Sequence, residues 1–285
     1  MKASSARVRA FGLAAVALVA FAANSLLCRA ALRPARIDAA SFTLVRLASG
    51  ALTLVAIERL RRGRVSGGSW PSGFALFAYA AAFSIAYRQL GTGVGALILF
   101  GAVQLTMIAW TATHGERPTR RQWLGLATAV AGLTLLTLPG AHAPPLAAAA
   151  MMAIAGAAWG VYTLRGRGAK NAIATTADNF VRALPFAIGF ALASYRSFDI
   201  TSRGAAFAIA SGALASGLGY SIWYTALPSL RGVEAGVVQL AVPILAASGG
   251  VVLLGETVHV RLVAAAVGIV VGIALVIAPR SKRGS

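Results

Sequence analysis

A chain of 285 residues that is 58% hydrophobic and only 12% charged is not a soluble globular domain, where charged residues make up about 25%. Its net charge of +19 would suggest nucleic acid in a soluble protein. Here the basic residues fall in short connections between apolar runs, the layout of membrane topology signals, which argues against a nucleic-acid partner.

The apolar runs have the length needed to cross a bilayer core, and alternating ten-residue strands of a barrel type are missing. The expected fold is therefore all-α and integral to the membrane. Ten spans are predicted, at 11–32, 37–57, 70–87, 92–112, 120–139, 145–164, 173–194, 204–224, 233–254 and 261–279. The first follows Lys2, Arg7 and Arg9 and contains Ala20-Phe21-Ala22, which resembles a cleavable secretion signal. The run continues well past Ala22, however, and is read as a retained span. Cys28, the one cysteine, cannot form an internal disulfide. His114, His142 and His259 lie in or beside connections, so no metal site is expected. No glycine loop follows a strand, and no cofactor is implied.

The chain repeats itself. A shift of 140 residues places Gly115-Glu116 on Gly255-Glu256, Arg121 on Arg261 and Gly132 on Gly272. A shift of 136 places Ala22 on Ala158, Arg29 on Arg165, Val45 on Val181 and Arg46 on Arg182. These matches divide the chain into a first five-span half, 1–141, and a second, 142–285. Because five is odd, the halves enter the membrane from opposite faces and form inverted repeats, as in secondary transporters with a site near the midplane. Most Lys and Arg lie in the connections that share a side with the N-terminus, in clusters within 2–9, 59–64, 117–121, 165–170 and 280–283. Both termini are therefore expected in the cytoplasm. Arg29, Arg33 and Arg36 run against that rule.

Two five-helix halves, each closing with a Gly-Glu link and a glycine-bearing last helix, resemble the EamA-type members of the drug/metabolite transporter superfamily. Pro243 stands where that pattern has a proline in the ninth span; Val103-Gln104 replace its first-half counterpart. Within the superfamily the chain looks most like the bacterial aromatic amino acid exporters. The resemblance implies a cavity between spans 1, 3, 4 and 6, 8, 9, a bacterial inner-membrane location and export of amino acids, by a monomer or weak dimer surrounded by lipid. Nucleoside, purine, nucleotide-sugar and drug carriers are the alternatives within the class.

Polar groups inside spans are costly unless they face the bundle interior. Asn24, Gln104 and Gln239 qualify, either as substrate contacts or as interhelical hydrogen bonds. Tyr79 and Phe83 share a face of span three, and Trp159 with Tyr162 and Tyr220 with Trp223 and Tyr224 repeat the helical spacing in spans six and eight. With Phe100 they could wall a cavity for amphipathic solutes, or instead form a headgroup belt, to which Tyr87 is assigned. Arg46 and Arg182 are matched intramembrane arginines that attract a substrate carboxylate or snorkel. Asp178 lies four residues before Arg182, at ion-pair spacing. Small multidrug relatives couple to protons through a first-helix glutamate; span one holds Asn24 instead, and uniport-like export is expected. Gly91/Gly95, Gly156/Gly160 and Gly268/Gly272 are read as helix-packing pairs. An intramembrane enzyme is the rival outside the class. Its nearest nucleophile pair, Ser248 with His259, lacks the required setting, and the chain is read as not an enzyme.

Overall fold

The computed structural model describes residues 2–33, 35–113, 119–138, 143–166, 169–229 and 238–277. Gly115-Glu116, His114, His142 and Glu234 lie outside the described residues. Among those described, the chain is helical, apart from one antiparallel bridge between Ile37 and Ile200. In order the helices are α1 (Lys2–Leu32), α2 (Ala39–Leu60), α3 (Trp70–Tyr87), α4 (Thr92–Thr113), α5 (Arg120–Thr137), α6 (Leu146–Arg165) and α7 (Ala172–Ala193). They are followed by α8 (Ser202–Ser229), α9 (Ala241–Leu254) and α10 (Val260–Ile277). All ten correspond to predicted spans. Of these, α1, α2, α4, α6 and α8 are long and apolar enough to cross a membrane by themselves.

Helix starts follow from local chemistry. Side-chain oxygens of Asp38, Ser69, Thr119, Asn171 and Thr201 accept hydrogen bonds from the first free backbone N–H groups of α2, α3, α5, α7 and α8, satisfying donors that lack an intrahelical partner. Helix α8 departs from regular geometry. It is α-helical over Ser202–Ala210, π-helical over Ser211–Leu218, α-helical again over Gly219–Ala226, and ends in a tight turn at Leu227–Ser229. Wide turns of this kind are rare and concentrate at functional sites.

The packing is symmetric under exchange of the halves. Helices α2, α4 and α5 pack on α7, α9 and α10, their counterparts five places on. The other main contacts occur in exchanged pairs: α3 with α6 and α1 with α8; α4 with α6 and α1 with α9; α3 with α7 and α2 with α8. A two-fold relation generates such a set, and five helices per half makes it an inverted one. Small residues permit the close approach. A Cβ on Gly272 would stand 2.5 Å from the Gly125 carbonyl, and one on Gly132 would stand 3.0 Å from the Ala265 carbonyl. One departure from symmetry is local: α4 packs on α5, but α9 stands off α10. This leaves an apolar groove of about 610 Å³ lined by Pro243, Val251, Val263 and Val267 among others. Ser248 lies on this groove, while His259 engages the Thr257 hydroxyl at 3.1 Å.

The Gly255-Glu256 link has a structural reason. Gly255 closes α9 at φ +64°, a left-handed conformation that glycine adopts without steric cost. The chain thereby turns Glu256 back into the bundle. Glu256 Oε2 accepts from the backbone N–H of Thr92 at 2.8 Å, while Oε1 accepts from the Thr92 hydroxyl at 3.2 Å and from Arg29 Nε at 3.3 Å. A carboxylate at the start of α4 is also favoured by the helix dipole. Arg29 Nη1 donates in addition to the Tyr87 carbonyl at 2.9 Å. This latch ties α1, α3 and α4 of one half to the α9–α10 link of the other.

Two expectations change here. Arg29 and Arg36, which run against the charge rule in the expected topology, are structural ties: Arg36 bonds the Ala30 carbonyl and lies 5.6 Å from the Phe207 ring centroid. Tyr87 is not a belt residue. It is fully buried, its hydroxyl donating to the Thr92 carbonyl at 3.2 Å and its ring set edge-on against Phe83.

Candidate functional site

Arg46 is the largest of the fully buried side chains, at 2% exposure. It reaches from α2 into the centre of the bundle. Its Nη2 donates to the Tyr79 hydroxyl at 3.0 Å, and its guanidinium carbon lies 5.1 Å from the ring centroids of both Tyr79 and Phe83. Nε and Nη1 have no hydrogen-bond partner. Cation–π contacts return about 0.5–2 kcal/mol, less than the several kcal/mol lost when an ion leaves water. No described carboxylate is paired with Arg46, so no described acid compensates its charge.

The polar chain around it draws on three further helices. Ser211, on the π-helical part of α8, donates to Asn24 Oδ1 of α1 at 2.6 Å. Asn24 Nδ2 in turn donates to the Tyr79 hydroxyl of α3 at 3.3 Å. The wide turn sets Ser211 here, and Gly212 beside it lets α8 lie directly on α2: a Cβ at that position would overlap the Arg46 carbonyl and the Ser49 hydroxyl.

Aromatic rings form the wall. Trp159 of α6 lies 4.9 Å from Tyr79, is stacked at 5.2 Å on Tyr162, and is stacked at 5.5 Å on Tyr220 of α8. Tyr79 and Phe83 stand 5.4 Å apart, and Tyr220 is flanked by Phe21, Phe180 and Tyr224. The Tyr162 hydroxyl lies beside Thr176 and Asn179 of α7. The structure thus brings Asn24, Arg46, Tyr79, Phe83, Trp159, Tyr162, Tyr220 and Tyr224 together from both halves.

Other candidates lie elsewhere. Trp223 turns toward α1, meeting Phe21 at 6.1 Å and packing with Ala10, Ala14 and Val242. Phe100 is half-buried between this group and the main core. Gln104 and Gln239 are half-buried and make no hydrogen bond to the central cluster. Arg182 is not a second copy of Arg46. It pairs with Asp178 at 3.0 Å and lies over Trp70. Asp178 and Asn179 also accept from the backbone N–H groups of Gly68 and Ser69, pinning the α2–α3 link. Sequence reasoning did not single out Ser211, Phe21 or Phe180.

Ten helices in exchanged halves around a buried cation and an aromatic wall form the architecture of a membrane transporter. The family model described as EamA-like transporter family matches residues 146–278. An uncharacterized protein of Pseudomonas aeruginosa is 50% identical over 275 residues, covering 96% of this chain and 96% of its own. A crystal structure at 21% identity superposes with a TM-score of 0.61 over 95% of this chain and 96% of that one, a likeness of fold. Residues 146–278 thus form a domain of the EamA-like transporter family, and the chain is kin to the Pseudomonas aeruginosa protein over nearly its whole length.

Proposed function

We propose that the protein exports aromatic and other neutral amino acids across a bacterial inner membrane by alternating access, with both termini in the cytoplasm and the Arg29–Glu256 latch toward the outside. The unpaired Arg46 guanidinium beneath the Trp159–Tyr220 wall carries this reading. A planar cation with free N–H groups matches a carboxylate in charge and geometry, and the rings suit an apolar or aromatic side chain. Each half, 1–141 and 142–285, supplies part of the site, Asn24, Arg46 and Tyr79 from the first and Trp159, Tyr162 and Tyr220 from the second. Rocking between the halves then exposes the site to one side at a time.

Uptake of radiolabelled phenylalanine, threonine and a nucleoside into liposomes holding the purified protein tests the reading. Saturable amino-acid flux that is lost in Trp159→Ala is expected. Nucleoside flux alone would refute the amino-acid assignment and retain the transporter. For uniport-like transport, phenylalanine flux leaves a preset pH difference across the liposomes intact; flux that dissipates it would show proton coupling.

A further inference from the structure

We infer that the site recognises the carboxylate of an arylalkyl acid and nothing of its amino group, holding the carboxylate between Arg46 and the Tyr79 hydroxyl, with Ser211 and Asn24 as positioning residues that aim that hydroxyl. The inference rests on the central cluster being the transport site.

The direction of each hydrogen bond follows from its geometry. At 2.6 Å, the Ser211–Asn24 contact is too short for an amide N–H donor and fits a hydroxyl donating to a carbonyl oxygen. The Asn24 oxygen therefore faces α8, and its Nδ2 faces α3, donating to Tyr79 at 3.3 Å. Arg46 Nη2 donates to the same phenolic oxygen at 3.0 Å. A phenolic hydroxyl accepts through its oxygen and has one proton to give. With two donors already on the oxygen, the proton must be given onward, and no described acceptor receives it. Arg46 likewise keeps the N–H groups of Nε and Nη1 free. Around Arg46 and Tyr79, the groups left without a described partner are donors: the Tyr79 hydroxyl proton and the N–H groups of Arg46 Nε and Nη1.

A group that satisfies buried donors without bringing donors of its own is a carboxylate. An ammonium group meets the opposite situation, because no described acid pairs with Arg46 or Tyr79 and the guanidinium charge repels it. Transport of phenylalanine then depends on its carboxylate and ring, and an analogue without the amino group fits the same site.

Calorimetric titration of the purified full chain with four ligands tests this. They are phenylalanine, 3-phenylpropanoate (no amino group), 3-phenylpropanamide (no charge) and phenethylamine (no carboxylate). The first two are expected to bind within about fivefold of one another and the other two at least about fiftyfold more weakly, the scale of a lost charge-assisted hydrogen bond. Tyr79→Phe keeps the ring over Arg46 and removes only the hydroxyl. It should weaken 3-phenylpropanoate by about ten- to a hundredfold relative to 3-phenylpropanamide, with a lower unfolding midpoint because Asn24 Nδ2 and Arg46 Nη2 lose their acceptor. Ser211→Ala should lower the same acid-to-amide ratio by about three- to tenfold, which a general loss of packing would not do. Phenethylamine binding as tightly as phenylalanine, or an unchanged ratio in Tyr79→Phe, overturns the inference. Binding of phenylalanine without 3-phenylpropanoate shows that the amino group is recognised, which overturns the inference and keeps the exporter. No binding of any of the four removes both.

Discussion

Arg46 sets stability against function in one side chain. Its charge is desolvated with two nitrogens unpaired, and replacing buried ionic groups by well-packed apolar ones is often neutral or stabilising by about 1–4 kcal/mol. Arg46→Met is therefore expected to raise the thermal unfolding midpoint of the purified protein while amino-acid flux into liposomes falls to background. A lower midpoint would show that the guanidinium is a packing element. Sequence matching put Arg46 and Arg182 on an equal footing, and the structure separates them. The reason was in the sequence: four residues before Arg182 stands Asp178, while four residues before Arg46 stands Phe42. One arginine has its counter-ion on its own helix face and the other has none. The pairing of Ser211 with Asn24, 187 residues away, had no such local signal.

Among the elements, the ten spans and the aromatic faces of α3, α6 and α8 were legible, because apolar length and helical spacing are local properties. The wide turn in α8 was not. Its segment, SGALASGL, has the same small-residue composition as regular helices elsewhere in the chain, and it packs directly on α2 where Gly212 meets the Arg46 carbonyl. Gly212→Ala tests that contact. The methyl group would push α8 from the Arg46 carbonyl, with a stability cost of about 1–3 kcal/mol for overpacking. The expected result is a lower unfolding midpoint together with weaker binding of carboxylate ligands. Unchanged binding would show that the placement of Ser211 does not depend on this approach. The Gly-Glu link was visible as a repeat, but its purpose depends on Arg29, 227 residues away.

The whole molecule carries its own reporter of opening at the latch. Cys28, the one cysteine, is fully buried next to Arg29. Glu256→Ala leaves Arg29 without its counter-ion, a loss smaller than the about 3–5 kcal/mol of a fully buried pair because this pair is only partly buried, and should bias the protein toward the state in which that end is open. Cys28 is then expected to react with a water-soluble maleimide that leaves the native protein unmodified; equal labelling of both would show that the latch does not control access. Inversion of the halves was readable from the odd number of spans, whereas the exchanged packing and the stand-off between α9 and α10 depend on contacts between residues far apart in sequence. The glycine contact of α5 with α10 has a consequence for ancestry and assembly. A helix that meets its own copy across a two-fold forms the interface of a homodimer, so this chain resembles two subunits of opposite insertion joined end to end. The peptide link between them is then a convenience of inheritance, and the fragments 1–141 and 142–285, expressed together as separate chains, should find each other and copurify. Gly272→Leu, which fills the space at Gly125 and Ala129, should prevent it.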